Sequence, residues 1–139
     1  MKVFIADDDE DDVELFKLAL YAITTNVDII YSANGQELLA SLKDRVSPPP
    51  DFLFLDLNMP IKTGYDCLTE IKSHPYYKEI RVVILTTSNH QKDIDITYQN
   101  GADYYLCKPS SLSVYERALK KLFSFEFNHK RLREEFVIK

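Results

Sequence analysis

Short apolar runs alternate with longer stretches whose apolar positions recur every three or four residues, and the alternation repeats five times. The runs at residues 3–6, 27–31, Phe52–Leu55, 82–85 and Tyr104–Cys107 are rich in β-branched, aromatic and leucine side chains and predict strands. After the first run, Val13, Phe16, Leu20 and Ile23 fall at helical spacing, with Leu15 and Ala19 widening the face. A second helix carries Leu38, Leu39 and Leu42. It opens on Asn34 as N-cap with Glu37 three residues on, as in a capping box, and stops at Pro48-Pro49-Pro50. A third, with Leu68 and Ile71, ends near Pro75. A weaker fourth spans residues 91–100 and ends at Gly101, well placed as a C′ glycine. Leu112, Tyr115, Leu119 and Leu122 mark a fifth, with Ser111 as N-cap.

Strict strand–helix alternation implies an α/β fold: a doubly wound, five-stranded parallel sheet with helices on both faces. The unbroken apolar character of Phe52–Leu55 fits a parallel strand covered on both sides. Ligands of such sheets bind beyond the carboxyl ends of the strands, near a topological switch point. Asp7, Asp8, Asp56, Thr86 and Lys108 each end or immediately follow one of these runs, so all five are expected at that edge.

The 139 residues suit one domain, and 45% hydrophobic with 28% charged residues excludes a disordered chain. A formal charge of −5 gives no sequence-wide attraction for nucleic acid or an anionic membrane. The basic stretch His129-Lys130-Arg131-Leu132-Arg133 runs straight into Glu134 and Glu135. Cys67 and Cys107 are expected to be buried or half-buried free thiols. Met1-Lys2 leads into only four apolar residues, and no run approaches the length of a membrane span, so a cytoplasmic protein is expected.

The chemistry begins with six consecutive acids, Asp7-Asp8-Asp9-Glu10-Asp11-Asp12. With Asp56 beside Asp7 and Asp8, like charges about 4 Å apart would cost roughly 4 kcal/mol per pair near a protein surface. Hard oxygen ligands with room for water suit Mg²⁺, which binds through one or two carboxylates plus a phosphate. Asp56 is then a nucleophile able to form an aspartyl phosphate. Asp8 would hold the metal directly and Asp7 directly or through water, while the main-chain carbonyl of Asn58 could add an oxygen. Lys108 supplies a compact positive charge and Thr86 a hydroxyl donor for phosphoryl oxygens. Taken singly, Thr86 is an ordinary strand-end threonine, Lys108 a surface lysine and Tyr105 a half-buried core tyrosine. Taken together, they share one edge of one sheet with the acids.

The set Ile5-Ala6-Asp7-Asp8-Asp9, Leu55-Asp56-Leu57-Asn58-Met59-Pro60, Thr63-Gly64, Leu85-Thr86-Thr87-Ser88, Gly101-Ala102-Asp103-Tyr104-Tyr105 and Lys108-Pro109 resembles the receiver domain of two-component response regulators, particularly the stand-alone kind. The resemblance implies a flavodoxin-like receiver architecture in which Asp56 accepts phosphate from a sensor histidine kinase or histidine phosphotransfer protein. It makes Asp7 and Asp8 the acidic pair for Mg²⁺, has Thr86 and Lys108 hold the phosphoryl group, and makes Tyr105 an aromatic switch for an unidentified downstream protein. Receivers also hydrolyse their own acyl phosphate, so a switch rather than a turnover enzyme is implied. Asn58 and Ser88 stand where the family tunes that hydrolysis. Tyr104 occupies the place where many dimerising regulators carry a second acid, which points to a monomer or weak dimer.

The resemblance covers residues 1–123. Residues 124–139 form an extension with Phe125, Phe127, Leu132, Phe136, Val137 and Ile138, expected to continue the last helix or pack beside it. The alternative reading of the whole chain is a phosphorylation-independent interaction module with a receiver fold. An aspartyl-phosphate phosphatase is disfavoured because such enzymes keep nucleophile and acid together after the first strand. A flavin binder is disfavoured because its phosphate loop needs glycines and hydroxyls where this chain has acids.

Overall fold

The computed structural model describes residues 1–44, 48–125 and 132–139. Five strands form: β1 (Lys2–Ala6), β2 (Asp28–Ser32), β3 (Phe52–Leu55), β4 (Arg81–Thr86) and β5 (Tyr104–Cys107). They alternate with α1 (Glu10–Ile23), α2 (Gly35–Asp44), α3 (Gly64–Ser73), α4 (Gln91–Gln99) and α5 (Leu112–Ser124). Every predicted element is present; β3 and β5 have the predicted bounds, and β1, β2 and β4 differ by one residue at one or both ends. The sheet is parallel throughout in the order β2-β1-β3-β4-β5, so the chain reverses its winding direction between β1 and β3. That reversal opens a crevice at the carboxyl ends of those two strands.

Alternate strand residues feed two separate layers of core. Phe4, Leu53, Leu55, Val82, Ile84 and Tyr105 pack with Leu38, Leu42, Leu68, Ile71 and Ile94 of α2, α3 and α4. Val3, Ile5, Phe54, Val83, Leu85 and Tyr104 pack on the other face with Phe16, Leu20, Tyr115, Leu119 and Leu122 of α1 and α5. Burial on both faces is what the continuous apolar strands require.

The caps follow the local sequence closely. Asn34 Oδ1 accepts from the Glu37 amide at 2.9 Å, but the return bond runs from Asn34 Nδ2 to Glu37 Oε2 at 3.0 Å, so the side-chain amide replaces the backbone donor of a standard box. Ser111 caps α5 through the Val114 amide, and Gly101 takes φ +95° just beyond α4. One thiol departs from expectation: Cys67 is buried but Cys107 is exposed, because it is the last residue of an edge strand.

The helix α5 ends at Ser124, with Phe125 at its C-cap, and does not run on through the extension. Phe127 and the His129-Lys130-Arg131 part of the basic stretch lie outside the described residues. The final segment returns to the free edge of the sheet. After a 3₁₀ turn at Arg133–Glu135, Val137 bridges Tyr105 in parallel. The Tyr105 amide donates to Phe136 O, and the Ile138 amide donates to Tyr105 O, both at 2.9 Å. Phe136 is fully buried, and Arg133 pairs with Asp95 of α4 at 2.7 Å while lying over the Tyr98 ring. The segment thus covers backbone groups that an edge strand otherwise leaves unpaired.

Candidate functional site

Sheet hydrogen bonding continues one residue past several strands and fixes the backbones of the site. The Asp7 amide donates to Ser32 O at 3.1 Å, the Asp56 amide to Ala6 O at 3.0 Å, and the Lys108 amide to Thr86 O at 2.8 Å. Asp7, Asp56, Thr86 and Lys108 are therefore held by the sheet itself. Asp7 Oδ1 accepts from the Asp9 amide at 2.9 Å, and Asp56 Oδ1 accepts from the Leu57 amide at 2.8 Å, which fixes one oxygen of each carboxylate.

Two helix starts crowd in around this edge. Asp9 is the N-cap of α1, accepting from the amides of Asp11 and Asp12, so only three residues separate the helix from β1. Thr63 caps α3 at the Asp66 amide. The following Gly64 packs on the end of β3, where an added Cβ would lie 2.0 Å from Asp56 O. No larger residue fits there without moving the backbone that carries Asp56. The loop between them holds exposed Asn58 and makes a tight turn at Ile61, whose φ of 70° is rare for a β-branched residue. The Lys62 amide closes that turn onto Pro60 O at 2.7 Å, the pattern of a strained γ-turn.

Carboxylate oxygens of Asp7, Asp8 and Asp56 lie within 4.8 Å of one another, Asp7 and Asp56 buried and Asp8 exposed. Lys108, whose side chain is only 9% exposed, reaches into the cluster with Nζ 2.8 Å from Asp7 Oδ2, 2.7 Å from Asp12 Oδ2 and 3.4 Å from Asp56 Oδ2. The contact with Asp7 is a close ion pair without hydrogen-bond geometry, so Asp7 Oδ2 keeps unused accepting capacity. Burial pushes the Asp7 carboxyl up to about 6, outweighing the opposing pull of Lys108 and of the Asp9 amide. Burial acts downward on Lys108, but its hydrogen bond to Asp12 and its close ion pair with Asp7 outweigh it and hold the ammonium above its ordinary value.

Thr86 has the opposite problem. Its hydroxyl is fully buried at the end of β4 and has no hydrogen-bond partner among the described residues. Beside it, Tyr105 points into the core and donates its hydroxyl to Ser88 O at 2.8 Å. Ser88 is held in turn. Its Oγ donates to Asp93 Oδ2 at 2.5 Å and accepts from the His90 amide at 3.2 Å, while Tyr65 of α3 donates its hydroxyl to Asp93 Oδ1. These bonds keep the Asp93 carboxyl below its ordinary value, Ser88 contributing most and Tyr65 next. Burial pushes the Tyr105 phenol up to about 12.

The donor set suits a hard divalent cation. Three carboxylates converge, one of them open to solvent, and a buried carboxylate oxygen retains capacity to accept. Sequence reasoning placed Asp7, Asp8, Asp56, Thr86 and Lys108 at one edge, and the structure brings all five there. It missed Asp12 and the Tyr65–Asp93–Ser88 chain. Asp12 stands three residues after the N-cap, where a helical side chain leans back toward the helix N-terminus and so toward the strand ends. In a run of six acids the sequence carries no signal for which residue takes that position.

Comparison with known proteins gives consistent results. The sequence model of the response regulator receiver domain matches residues 3–120. Response regulator Rcp1 of Synechocystis sp. is 32% identical over 127 residues, 88% of this chain and 86% of its own length. The probable C4-dicarboxylate response regulator DctR of Bacillus subtilis is 29% identical over 120 residues, and there the match spans about half of the relative, 51%. Among solved structures, the phosphorylated cyanobacterial phytochrome response regulator RcpA superposes with a TM-score of 0.81 at 32% identity, covering 94% of this chain and 96% of that one. The Mn²⁺-bound form of Rcp1 superposes with a TM-score of 0.78 at 30% identity, covering 94% and 97%.

Proposed function

Since the chain belongs to the response regulator receiver domains, we propose that it is a phosphorylation-dependent relay whose acceptor is Asp56 and whose cofactor is Mg²⁺. The observation that carries this reading is the pairing, at one sheet edge, of an acidic cluster with a buried lysine and an unpartnered buried hydroxyl. A phosphoryl group on Asp56 would bring oxygens that accept from both Lys108 and Thr86.

In the proposed step, a carboxylate oxygen of Asp56 attacks phosphorus, and the bond from phosphorus to the donor nitrogen of a phosphohistidine breaks. The donor is a histidine kinase or a histidine phosphotransfer protein. Asp7, Asp8 and Asp56 would hold the divalent cation, with the Asn58 carbonyl as a further ligand. When bound, the cation neutralises charge building on the transferring oxygens. Lys108 faces the same oxygens from the β5 side. The Asp56 amide and Gly64 contact hold the acceptor in place, so little reorganisation accompanies attack.

Signal leaves through Thr86 and Tyr105 in this reading. Thr86 turning to donate to the phosphoryl group would draw the following loop with it, and Ser88 on that loop holds the Tyr105 hydroxyl. The phosphorylated state would then present an altered surface around α4 and β5 to a downstream protein.

Acetyl phosphate with Mg²⁺ should add one phosphate to the wild-type protein and none to Asp56→Asn, as read by intact-mass spectrometry. Equal labelling of the variant sinks the assignment. Failure of the wild type to label, with a partner that binds regardless of beryllofluoride, makes the chain a constitutive interaction module.

A further inference from the structure

We propose that Asp12 is a positioning residue that competes with the metal-binding carboxylates for Lys108, so that the lysine keeps a partner when a cation takes them. The inference rests on the reading of Asp7, Asp8 and Asp56 as a divalent-cation site and adds a residue that this reading does not contain. The Lys108 ammonium has three carboxylate neighbours at the buried edge of the sheet. Two of them, Asp7 and Asp56, belong to the cluster suited to a cation. The third and shortest contact is Asp12 Oδ2, at 2.7 Å.

An ammonium lying against Asp7 and Asp56 competes directly with a divalent cation, since both positive charges seek the same oxygens and repel each other. Asp12 gives the ammonium a hydrogen-bonded partner outside that oxygen set. It is well built for the task. It sits in the first turn of α1, its own amide is tied to the Asp9 cap, and its side chain is half-buried rather than free in solvent. When the cation takes Asp7 and Asp56, Lys108 can stay on Asp12 and remain within reach of a phosphoryl oxygen. Asp12 itself needs no contact with the metal.

A double-mutant cycle read by Mg²⁺ titration tests this, following tyrosine fluorescence or amide resonances. Asp12→Asn in the wild-type background should weaken Mg²⁺ binding at least fivefold, as Lys108 is left with only Asp7 and Asp56 as carboxylate partners. Asp11→Asn removes the same charge from the same helical turn, at an exposed residue without a Lys108 contact, and should change affinity less than twofold. In a Lys108→Met background, Asp12→Asn should also change affinity less than twofold. Asp12→Glu should recover part of the loss. An equal effect of Asp12→Asn with and without Lys108 would overturn the proposal, showing direct ligation or bulk charge. An effect no larger than that of Asp11→Asn would overturn it as well. If the wild type binds no Mg²⁺, the cation-site reading itself falls and takes this inference with it. Far-ultraviolet circular dichroism in EDTA confirms that each variant compared is folded.

Discussion

The ends of β4 and β5 lie side by side and treat buried polarity in opposite ways. At the end of β5, Lys108 has three carboxylates within 3.4 Å. At the end of β4, the Thr86 hydroxyl has no hydrogen-bond partner among the described residues. Folded proteins usually satisfy buried polar groups, and an unsatisfied one costs about 1–3 kcal/mol. One strand end therefore has a surplus of acceptors and its neighbour a deficit. In the proposed function a divalent cation on the carboxylates would relieve the surplus, and phosphoryl oxygens on Asp56 would supply the acceptor that Thr86 lacks. The contrast separates the resting fold, which tolerates the imbalance, from a ligated state that would remove it.

The most severe way to break the comparison is Lys108→Met. This removes the ammonium facing buried Asp7 and Asp56, and breaking a buried charge pair from one side costs about 3 kcal/mol. Urea denaturation at neutral pH in EDTA should show a loss of that order. A variant as stable as the wild type would mean that the three contacts contribute nothing net.

Acidity should expose the same surplus. The folded protein binds a proton at Asp7 near pH 6, whereas the unfolded chain does so only near its ordinary value of 3.8. Between these values the folded state holds more protons, so stability falls as pH rises through that window. The penalty is fully present above pH 6 and is on the order of 3 kcal/mol. Melts in EDTA from pH 4 to 7, wild type against Asp7→Asn, should show this decline in the wild type and a flatter profile in the variant. Stability rising across the window in both alike would refute the surplus.

Thr86→Val addresses the deficit. Valine keeps the shape and drops the hydroxyl, so the metal-free protein should gain about 1 kcal/mol while losing affinity for beryllofluoride. A destabilised variant would show that the hydroxyl has a partner in solution.

The smallest effect is expected at Asp93→Asn. Asp93 holds Ser88 and Tyr65, and Ser88 holds Tyr105, so the substitution loosens the loop through which Thr86 would act. The site is half-buried, and a loss of roughly 0.5–1 kcal/mol is expected. The Tyr105 ring resonances should broaden or shift. An unchanged ring environment would separate Tyr105 from the Thr86 side of the comparison.

Much of this was legible in the chain before folding. Apolar run lengths and helical spacing marked every strand and helix, because each element must bury one face or two, and burial imposes its own period. Asp56 and Lys108 could be placed because each directly follows an apolar run, and strand ends in a parallel sheet share one edge. Asn34, Gly101 and Ser111 were readable because capping is decided within three or four residues. Asp12 was not readable as a partner of Lys108. The two are 96 residues apart, and in a run of six acids nothing local says which carboxylate turns inward. Asp9 as the cap of α1 was hidden for the same reason.

The extension shows the limit most clearly. Its apolar residues called for burial, and the sequence favoured a last helix that continues into the extension or is packed beside it. The structure sends the described end of the segment to β5, where Val137 pairs with Tyr105 and Phe136 fills a place beside Tyr98. An edge strand offers unpaired amides and carbonyls, and that offer exists only after the sheet has formed.

By itself, then, the sequence determined the order and type of the elements, the parallel sheet and the five residues at its carboxyl edge. All of these follow from periodicity and position, which are properties of neighbours in the chain. The tertiary structure alone decided that Lys108 divides itself among Asp7, Asp12 and Asp56, that Thr86 is left without a partner, and that the chain end closes the edge at Tyr105. Each of these depends on distances between segments remote in sequence, set by how two helical layers settle on one twisted sheet.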